Sequence, residues 1–335
     1  MVQTKRIIAA EKEFSLMKFF LQWEWLLVLL FILVNIMNII ISPYYLSATG
    51  LLTATSSFLE KAFIALPMVF VLVIGEIDIS VGSTVALSSV IMAEAYNKLG
   101  IPMGLAIVIC LLVGTLCGFI NGFILTRFQE LFPMIVTLGT MILYRGIAVM
   151  ILEDQASKNF PAWFSNIFWG KIGSVPYILI VFIIFAVVFG IVLHKTTFGR
   201  KLYAIGSNRI ASKYAGIRVQ KIRLIVYTLA GLFAAITAIF LTSRMGSTRP
   251  NIGEGYELEA ISMVVLGGVS TSGGKGRFIG AVISIFIIGF LRYGLGLINT
   301  SASAMLIIIG TLLIVAVMFP NLKLDSLFRK KSKNM

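Results

Sequence analysis

The chain has 335 residues, of which 59% are hydrophobic and only 13% are charged, and its mean hydropathy is +0.99. Soluble domains average about 45–50% apolar and about 25% charged residues, so this composition excludes an ordinary soluble enzyme or binding module. The net charge of +14 does not indicate nucleic acid, because basic residues in membrane proteins concentrate in cytoplasmic loops. The sequence therefore predicts a membrane protein.

Long uncharged blocks predict an all-α fold, a polytopic bundle of transmembrane helices. A helix needs about 20 apolar residues to cross the hydrocarbon core. On this basis we predict ten spans, at residues 22–42, 58–75, 79–97, 102–126, 131–152, 174–194, 223–243, 257–272, 277–297 and 302–320.

The distribution of Lys and Arg predicts the orientation of the bundle. With ten spans and a cytoplasmic N-terminus, 20 of the 28 Lys and Arg residues fall in cytoplasmic segments, as expected for inner loops. We therefore expect both termini to be cytoplasmic. The predicted organisation is an N-terminal segment 1–21, a membrane domain 22–320 with a basic loop at 195–222, and a basic tail 321–335.

The first unusual segment is Gly75–Ser83, where Glu76 and Asp78 stand between two apolar runs. A charge inside a membrane is costly unless it is paired or hydrated, and a broken helix is tolerated at depth only inside protein or beside water. One interpretation is an element lining a substrate path or gate, with Glu76, Asp78 and Ser80 as its candidates. The other is that Asp78 and Ser80 cap the following helix. Both remain open.

The second segment is the basic loop His194–Arg223, which holds eight basic residues and no acidic one. Asn208 or Ser207 can cap a short helix over 209–215, and Gly216 can end it. A loop bound to anionic lipid is the alternative. The order of glycine, cap, helix and glycine favours an element that docks on another protein.

The third segment, Val264–Arg277, is rich in glycine but does not match a phosphate-binding loop. That motif requires G-x-x-x-x-G-K-[ST], whereas Gly276 follows Lys275 and Val269 occupies the place of the first glycine. We expect a tight cytoplasmic turn with closely packed helices.

Other polar and aromatic residues indicate packing more readily than chemistry. His194 is the only histidine, and no metal-ligand cluster is visible. We therefore expect no catalytic set and no cofactor on this chain. Asn121 and Glu259 are retained as candidates for the path. The loop 153–171 predicts a short interfacial helix with an aromatic belt, and Cys110 and Cys117 should share one helix face.

Four segments together resemble the ribose-type permeases of bacterial ABC importers, a group that also serves rhamnose, other simple sugars and autoinducer-2. They occur in family order and cover most of residues 60–320. The segments are Gly75–Ser83, Val136–Gly146, Gly199–Ile217 and Gly255–Gly268. One departure is Glu76, where the family often has glycine.

The resemblance implies the function and the partners. Two permeases, identical or not, would pair around a central path, and a binding protein outside the membrane would deliver the solute. Two cytoplasmic ABC ATPases, which carry ATP and Mg, would bind a coupling helix in 199–217. The residues implied in that coupling are Gly199, Arg200, Tyr203, Gly206, Asn208, Ala211 and Gly216. Apart from membrane lipid, we expect no further partner and no nucleic acid.

Rival interpretations remain for cargo and energy source. The importer could carry nucleosides or amino acids instead of a sugar. A secondary transporter would need titratable or ion-coordinating groups within its spans, for which Glu76, Asp78, Glu257 and Glu259 are the candidates. The sequence does not identify the cargo, since specificity in such systems depends largely on the binding protein.

Overall fold

The structure is a computed structural model that describes residues 23–42, 45–153 and 155–321. The predicted segment 1–21 and the basic tail after residue 321 lie outside the described residues. The elements in chain order are α1 (Trp23–Ile41), α2 (Ala48–Val73), α3 (Val81–Asn97), α4 (Met103–Arg127), α5 (Pro133–Leu152), α6 (Ala162–Trp169), β1 (Lys171–Ile172), β2 (Val175–Pro176), α7 (Tyr177–Lys195), α8 (Thr197–Ser207), α9 (Arg209–Tyr214), α10 (Val219–Met245), α11 (Tyr256–Leu266), α12 (Phe278–Leu297) and α13 (Ala302–Asn321).

Seven helices of the described part are long and apolar enough to cross a membrane, namely α1, α2, α4, α5, α7, α10 and α12. The protein is therefore a polytopic helical membrane protein. Each of the ten predicted intervals overlaps one helix, the other three being α3, α11 and α13. Because α3 has 17 residues and α11 has 11, the count of ten spans and the orientation stay predictions.

The centre of the bundle is formed by α2 and α3, with α10 and α12 beside them. Of the residues in the most apolar 18-residue stretch of each helix, 83% are buried in α2 and 67% are buried in α10 and in α12. The corresponding fractions are 17% in α1 and 22% in α7. The outer helices therefore present most of their surface to lipid. The end of the bundle that carries α8 and α9 is called the α8 end, and the end that carries α6 is called the α6 end.

Helices α4 and α10 pack backbone to backbone. Gly114, Gly118 and Gly122 recur every fourth residue on α4, and a Cβ added at Gly118 would lie 3.0 Å from the Cα of Gly231 on α10. Small residues at this spacing let membrane helices approach closely. This contact fixes α4, and with it Asn121, against the core.

Two predicted boundaries were wrong, the start of one helix by ten residues and the end of another by six. Helix α2 begins at Ala48, not near residue 58, because hydroxyls in its polar first turns bond back to the helix, as Thr53 does to the carbonyl of Thr49 at 2.7 Å. Helix α11 ends at Leu266, not at residue 272, since Gly268 has a φ of 83°.

Two local predictions are confirmed. The aromatic loop contains a short helix, α6, which buries Phe164 and Phe168 and exposes Trp163 and Trp169. Cys110 and Cys117 are both buried on one face of α4.

Candidate functional site

The chain between α2 and α3 is a helix break inside the bundle. Residues 74–80 are not helical, and Gly75 has a φ of 76°, a backbone angle that residues other than glycine rarely adopt. Glu76, Asp78 and Ser80 of this break are all buried. The predicted break is thus present, and it is enclosed by protein.

A chain of hydrogen bonds runs from Asp78 across to α4 and α5. The amide and the hydroxyl of Ser80 donate to Oδ1 of Asp78 at 2.9 and 2.7 Å. Nδ2 of Asn121 donates to the Ser80 hydroxyl at 2.7 Å, and the hydroxyl of Tyr144 lies 3.0 Å from the Cys117 carbonyl and 3.3 Å from Oδ1 of Asn121. Three residues selected from the sequence, Asp78, Ser80 and Asn121, therefore form one network.

The network combines a carboxyl group, a hydroxyl, an amide and a phenol in an otherwise apolar bundle. Asp78, Ser80 and Asn121 are each 1% exposed, so in this conformation a solute does not reach them. These groups can donate to and accept from hydroxyl groups of a polar solute once the break opens. The capping interpretation has support for Asp78, which accepts the backbone N–H of Ser80 just before α3. Ser80 itself occupies the N-cap position but makes no capping hydrogen bond through its side chain.

Glu76 faces away from this network and toward two arginines at the α8 end. Its Oε1 lies 2.6 Å from Nε of Arg223 and 3.4 Å from Nη1 of Arg209. Nη1 of Arg223 donates to the carbonyl of Leu125 at 2.5 Å. Ion pairs of this kind compensate a carboxylate that burial would otherwise destabilise.

The three glycine-containing segments selected from the sequence meet beside Glu76. The amide of Gly274 donates to the carbonyl of Val73 at 2.8 Å, and a Cβ added at Gly273 would lie 2.7 Å from the amide nitrogen of Gly75 and 3.1 Å from the Cα of Gly206. A Cβ at Gly206 would collide with the carbonyl of Val73. The end of α2, the end of α8 and the α11–α12 turn therefore touch through backbone.

Most of the predicted coupling residues in α8 hold the segment against its own chain. Gly199 is buried against Leu193, and Gly206 packs on Val73. The hydroxyl of Tyr203 donates to the carbonyl of Gly276 at 2.7 Å, and burial raises the pKa of this phenol, which keeps it a neutral donor. Among the predicted coupling residues of α8, only Arg200 is exposed.

Helix α9 presents the open surface of the segment. The side chain of Asn208 accepts the amide of Ala211 at 2.9 Å, which confirms the predicted N-cap. Ala211 and Gly216 are exposed, as are Ile210 at 71% and Tyr214 at 89%. Arg209, the first residue of α9, turns inward to Glu76.

Glu259 lies in a different place from the other path candidates. It belongs to a charge cluster toward the α6 end, where its Oε1 is 3.3 Å from Nζ of Lys61 and 2.7 Å from Nη2 of Arg292. Beside it, Arg244 lies 3.0 Å from Oε1 of Glu60. Glu259 is therefore part of a structural ion cluster and does not contact the Asp78 network.

Sequence reasoning missed three residues of these sites. Arg223 was counted as a loop cation, because a basic residue at the end of an apolar block ordinarily extends to the membrane interface, and nothing in the sequence showed that it is buried. Tyr144, within the Val136–Gly146 motif, and Tyr214, within the predicted helix over 209–215, carried no distinguishing pattern. Over the described ranges, no three His, Cys, Asp or Glu side chains are placed to hold a metal ion.

Comparison with known proteins places the chain in a family. The family model described as "Branched-chain amino acid transport system / permease component" matches residues 50–317. The ribose import permease protein of Bacillus subtilis (strain 168) is 37% identical over 296 residues, which cover 88% of this chain and 91% of that protein. The autoinducer 2 import system permease proteins of Photorhabdus temperata and Escherichia coli (strain K12) are 36% and 34% identical over 301 residues, covering 88% of this chain and 90% and 91% of theirs. No solved structure matches. The chain is therefore a multi-pass inner-membrane transport subunit, and it belongs to the ribose-type permeases of ABC importers within that family.

Proposed function

We propose that this chain translocates a sugar or a sugar-like solute of the ribose, rhamnose or autoinducer-2 type. The observation that carries the proposal is the polar network of Asp78, Ser80 and Asn121 at a helix break in the centre of the bundle. The hydrogen-bond donors and acceptors of this network match those of a polyhydroxylated solute. Relatives of the chain are named for the import of ribose and of autoinducer 2.

The break is proposed to act as the gate of the path. It lies against the segment that carries α8 and α9, so a movement of that segment changes the packing at Gly75. Separate ATPase subunits would supply the energy at α9, a binding protein would deliver the solute at the α6 end, and a second permease, identical or not, would complete the path. The ten-span topology with cytoplasmic termini belongs to the same proposal, and it is supported by the seven described helices that are long and apolar enough to cross a membrane.

The test is transport by the purified complex in liposomes. A tagged permease is purified with the subunits that accompany it, and uptake of labelled ribose, rhamnose and autoinducer-2 is measured with and without internal ATP. Uptake of one of them that requires ATP is the expected result. Uptake driven by an ion gradient without ATP would indicate a secondary transporter. If only nucleosides or amino acids inhibit the ATP-dependent uptake, the cargo belongs to one of those classes and not to the sugars. The mass of the purified complex distinguishes a pair of identical permeases from a pair of different ones.

A further inference from the structure

We propose that Glu76 is the positioning residue that links helix α9 to the helix break, through its ion pair with Arg209. The inference rests on the proposed function, in which α9 receives the ATPase and the break gates the path. It assigns to Glu76 the task of transmitting a displacement of α9 to Asp78 and Ser80.

The first support is the direction of the Arg209 side chain. Arg209 is the first residue of α9, and its Nη1 reaches Oε1 of Glu76 at 3.4 Å. The neighbouring Ile210 and Tyr214 face outward and are largely exposed. A six-residue helix thus holds one cation on the break while its apolar side chains remain open to a partner.

The second support is that Glu76 has two cationic partners of different kinds. Arg223 is 1% exposed, and its guanidinium is also held by the carbonyl of Leu125. The side chain of Arg209 is 40% exposed and belongs to a short cytoplasm-facing segment of the predicted topology. Because a buried charge without a partner costs several kcal/mol, Arg223 keeps Glu76 compensated when Arg209 moves away. Glu76 can therefore exchange one partner without a large penalty.

The third support is the short distance along the chain from Glu76 to the gate. Only Ile77 separates Glu76 from Asp78, and the carbonyl of Ile77 faces the hydroxyl of Thr137 at 3.4 Å. The amide of Glu76 is tied to the end of α2 by a bond to the carbonyl of Val71 at 3.1 Å. A pull on the Glu76 side chain therefore acts on the peptide units that position Asp78 and Ser80.

The test compares three variants in the complex with its ATPase. Arg209→Met removes the link and retains the packing of the side-chain stem, while Arg223 continues to neutralise Glu76. Glu76→Gln removes the carboxylate of the same pair, and because it also takes the carboxylate from Arg223, its amount in the membrane is measured as well. Lys221→Met is the matched control, since Lys221 is an exposed cation of the same basic loop.

The readout does not require the cargo. In a background with Cys110→Ala and Cys117→Ala, a reporter Ser83→Cys is placed in the first turn of α3, and its labelling rate by N-ethylmaleimide is measured with and without ATP and orthovanadate. Co-purification of the ATPase is measured in parallel. We expect nucleotide to change the labelling rate in the reference protein and in Lys221→Met. In Arg209→Met and Glu76→Gln this response should fall about 5- to 150-fold, the range of ordinary coupling between sites, with the ATPase still bound.

The double variant decides whether the two residues act as one unit. If they do, Arg209→Met combined with Glu76→Gln is no worse than either change alone. A full response in Arg209→Met, additive losses in the double variant, or loss of the ATPase from Arg209→Met would each overturn the inference. Failure of the reference protein to retain any ATPase would instead contradict the proposed function, and the inference with it.

Discussion

The side-chain amide of Asn121 donates a hydrogen bond to the hydroxyl of Ser80, with 2.7 Å between nitrogen and oxygen. An amide nitrogen can only donate, so the hydroxyl of Ser80 is left to donate onward to Asp78, at 2.7 Å. The bonds therefore run in one direction, from α4 through the break to the carboxyl group. Helix α4 is itself fixed on α10 by its glycines, so the position of Asp78 depends on the core of the bundle.

The first prediction concerns the charge of Asp78. Both bonds from Ser80 go to Oδ1, and the side-chain carbonyl of asparagine can accept both. Asp78→Asn should therefore preserve the start of α3 and the amount of protein in the membrane. We expect it to lower uptake in liposomes at least about tenfold, or about 1.4 kcal/mol. Normal uptake by this variant would leave capping as the only role of Asp78.

The second prediction concerns the contact of the glycine segments. A Cβ at Gly206 would collide with the carbonyl of Val73, and backbone atoms cannot move aside as a flexible side chain does. Gly206→Ala should loosen the packing of the α8 segment and so lower the free energy of unfolding of the complex by about 1–3 kcal/mol. Thermal unfolding in detergent measures this loss of stability. The control is Gly104→Ala, where an added Cβ meets nothing within 4 Å. Equal stability of the two variants would contradict close packing at this point.

The third prediction concerns the charge cluster toward the α6 end. Glu259 is the common partner of Lys61 and Arg292, so Glu259→Gln leaves two cations without their carboxylate. Breaking a buried pair costs about 3–5 kcal/mol, and we expect a clear fall in the midpoint of thermal unfolding. Glu94→Gln is the control, because its partner Lys98 is 66% exposed and such pairs contribute about 0–1 kcal/mol. Similar midpoints for both variants would contradict a structural role for Glu259.

The fourth prediction concerns the orientation. Asn251 lies at the end where α10 finishes, and Ser207 lies at the α8 end; both are exposed. In a background without Cys110 and Cys117, a membrane-impermeant maleimide should label Asn251→Cys in intact cells and should not label Ser207→Cys. Labelling of the Ser207 position from outside would reverse the predicted topology.

The existence of the helices and the cap of α9 could be predicted from the sequence because each depends on neighbouring residues, although the start of α2 and the end of α11 were not. Runs of apolar residues located ten helices, and Asn208 identified the start of α9. Pairings across the fold could not be predicted in this way. Glu76 and Arg223 are far apart in the sequence, and no local pattern shows that both are buried and in contact. For the same reason Glu259 was grouped with Asp78 on residue type, although the fold places it with Lys61 and Arg292.

The last prediction concerns the open face of α9. Ile210 and Tyr214 are one helical turn apart on that face, which Ala211 adjoins, and all three are exposed. Because Asn208 caps this helix and Ala211 is its third residue, glutamate at position 211 suits a capping box and should not disrupt the helix. The effect of Ala211→Glu should therefore fall on a partner and not on folding or insertion.

We expect Ala211→Glu to release the ATPase or to uncouple it, because a charge at the centre of an apolar contact is desolvated without a partner. Tyr214→Ala should weaken the same contact by about 2 kcal/mol, as buried aromatic residues at interfaces do. Lys213→Ala should have a mild effect, since charges at a rim influence association rate more than affinity. Co-purification of the ATPase and transport-stimulated ATP hydrolysis in liposomes measure all three. Full coupling in Ala211→Glu would place the docking surface elsewhere on the α8 end, and the role of α9 would then have to be abandoned.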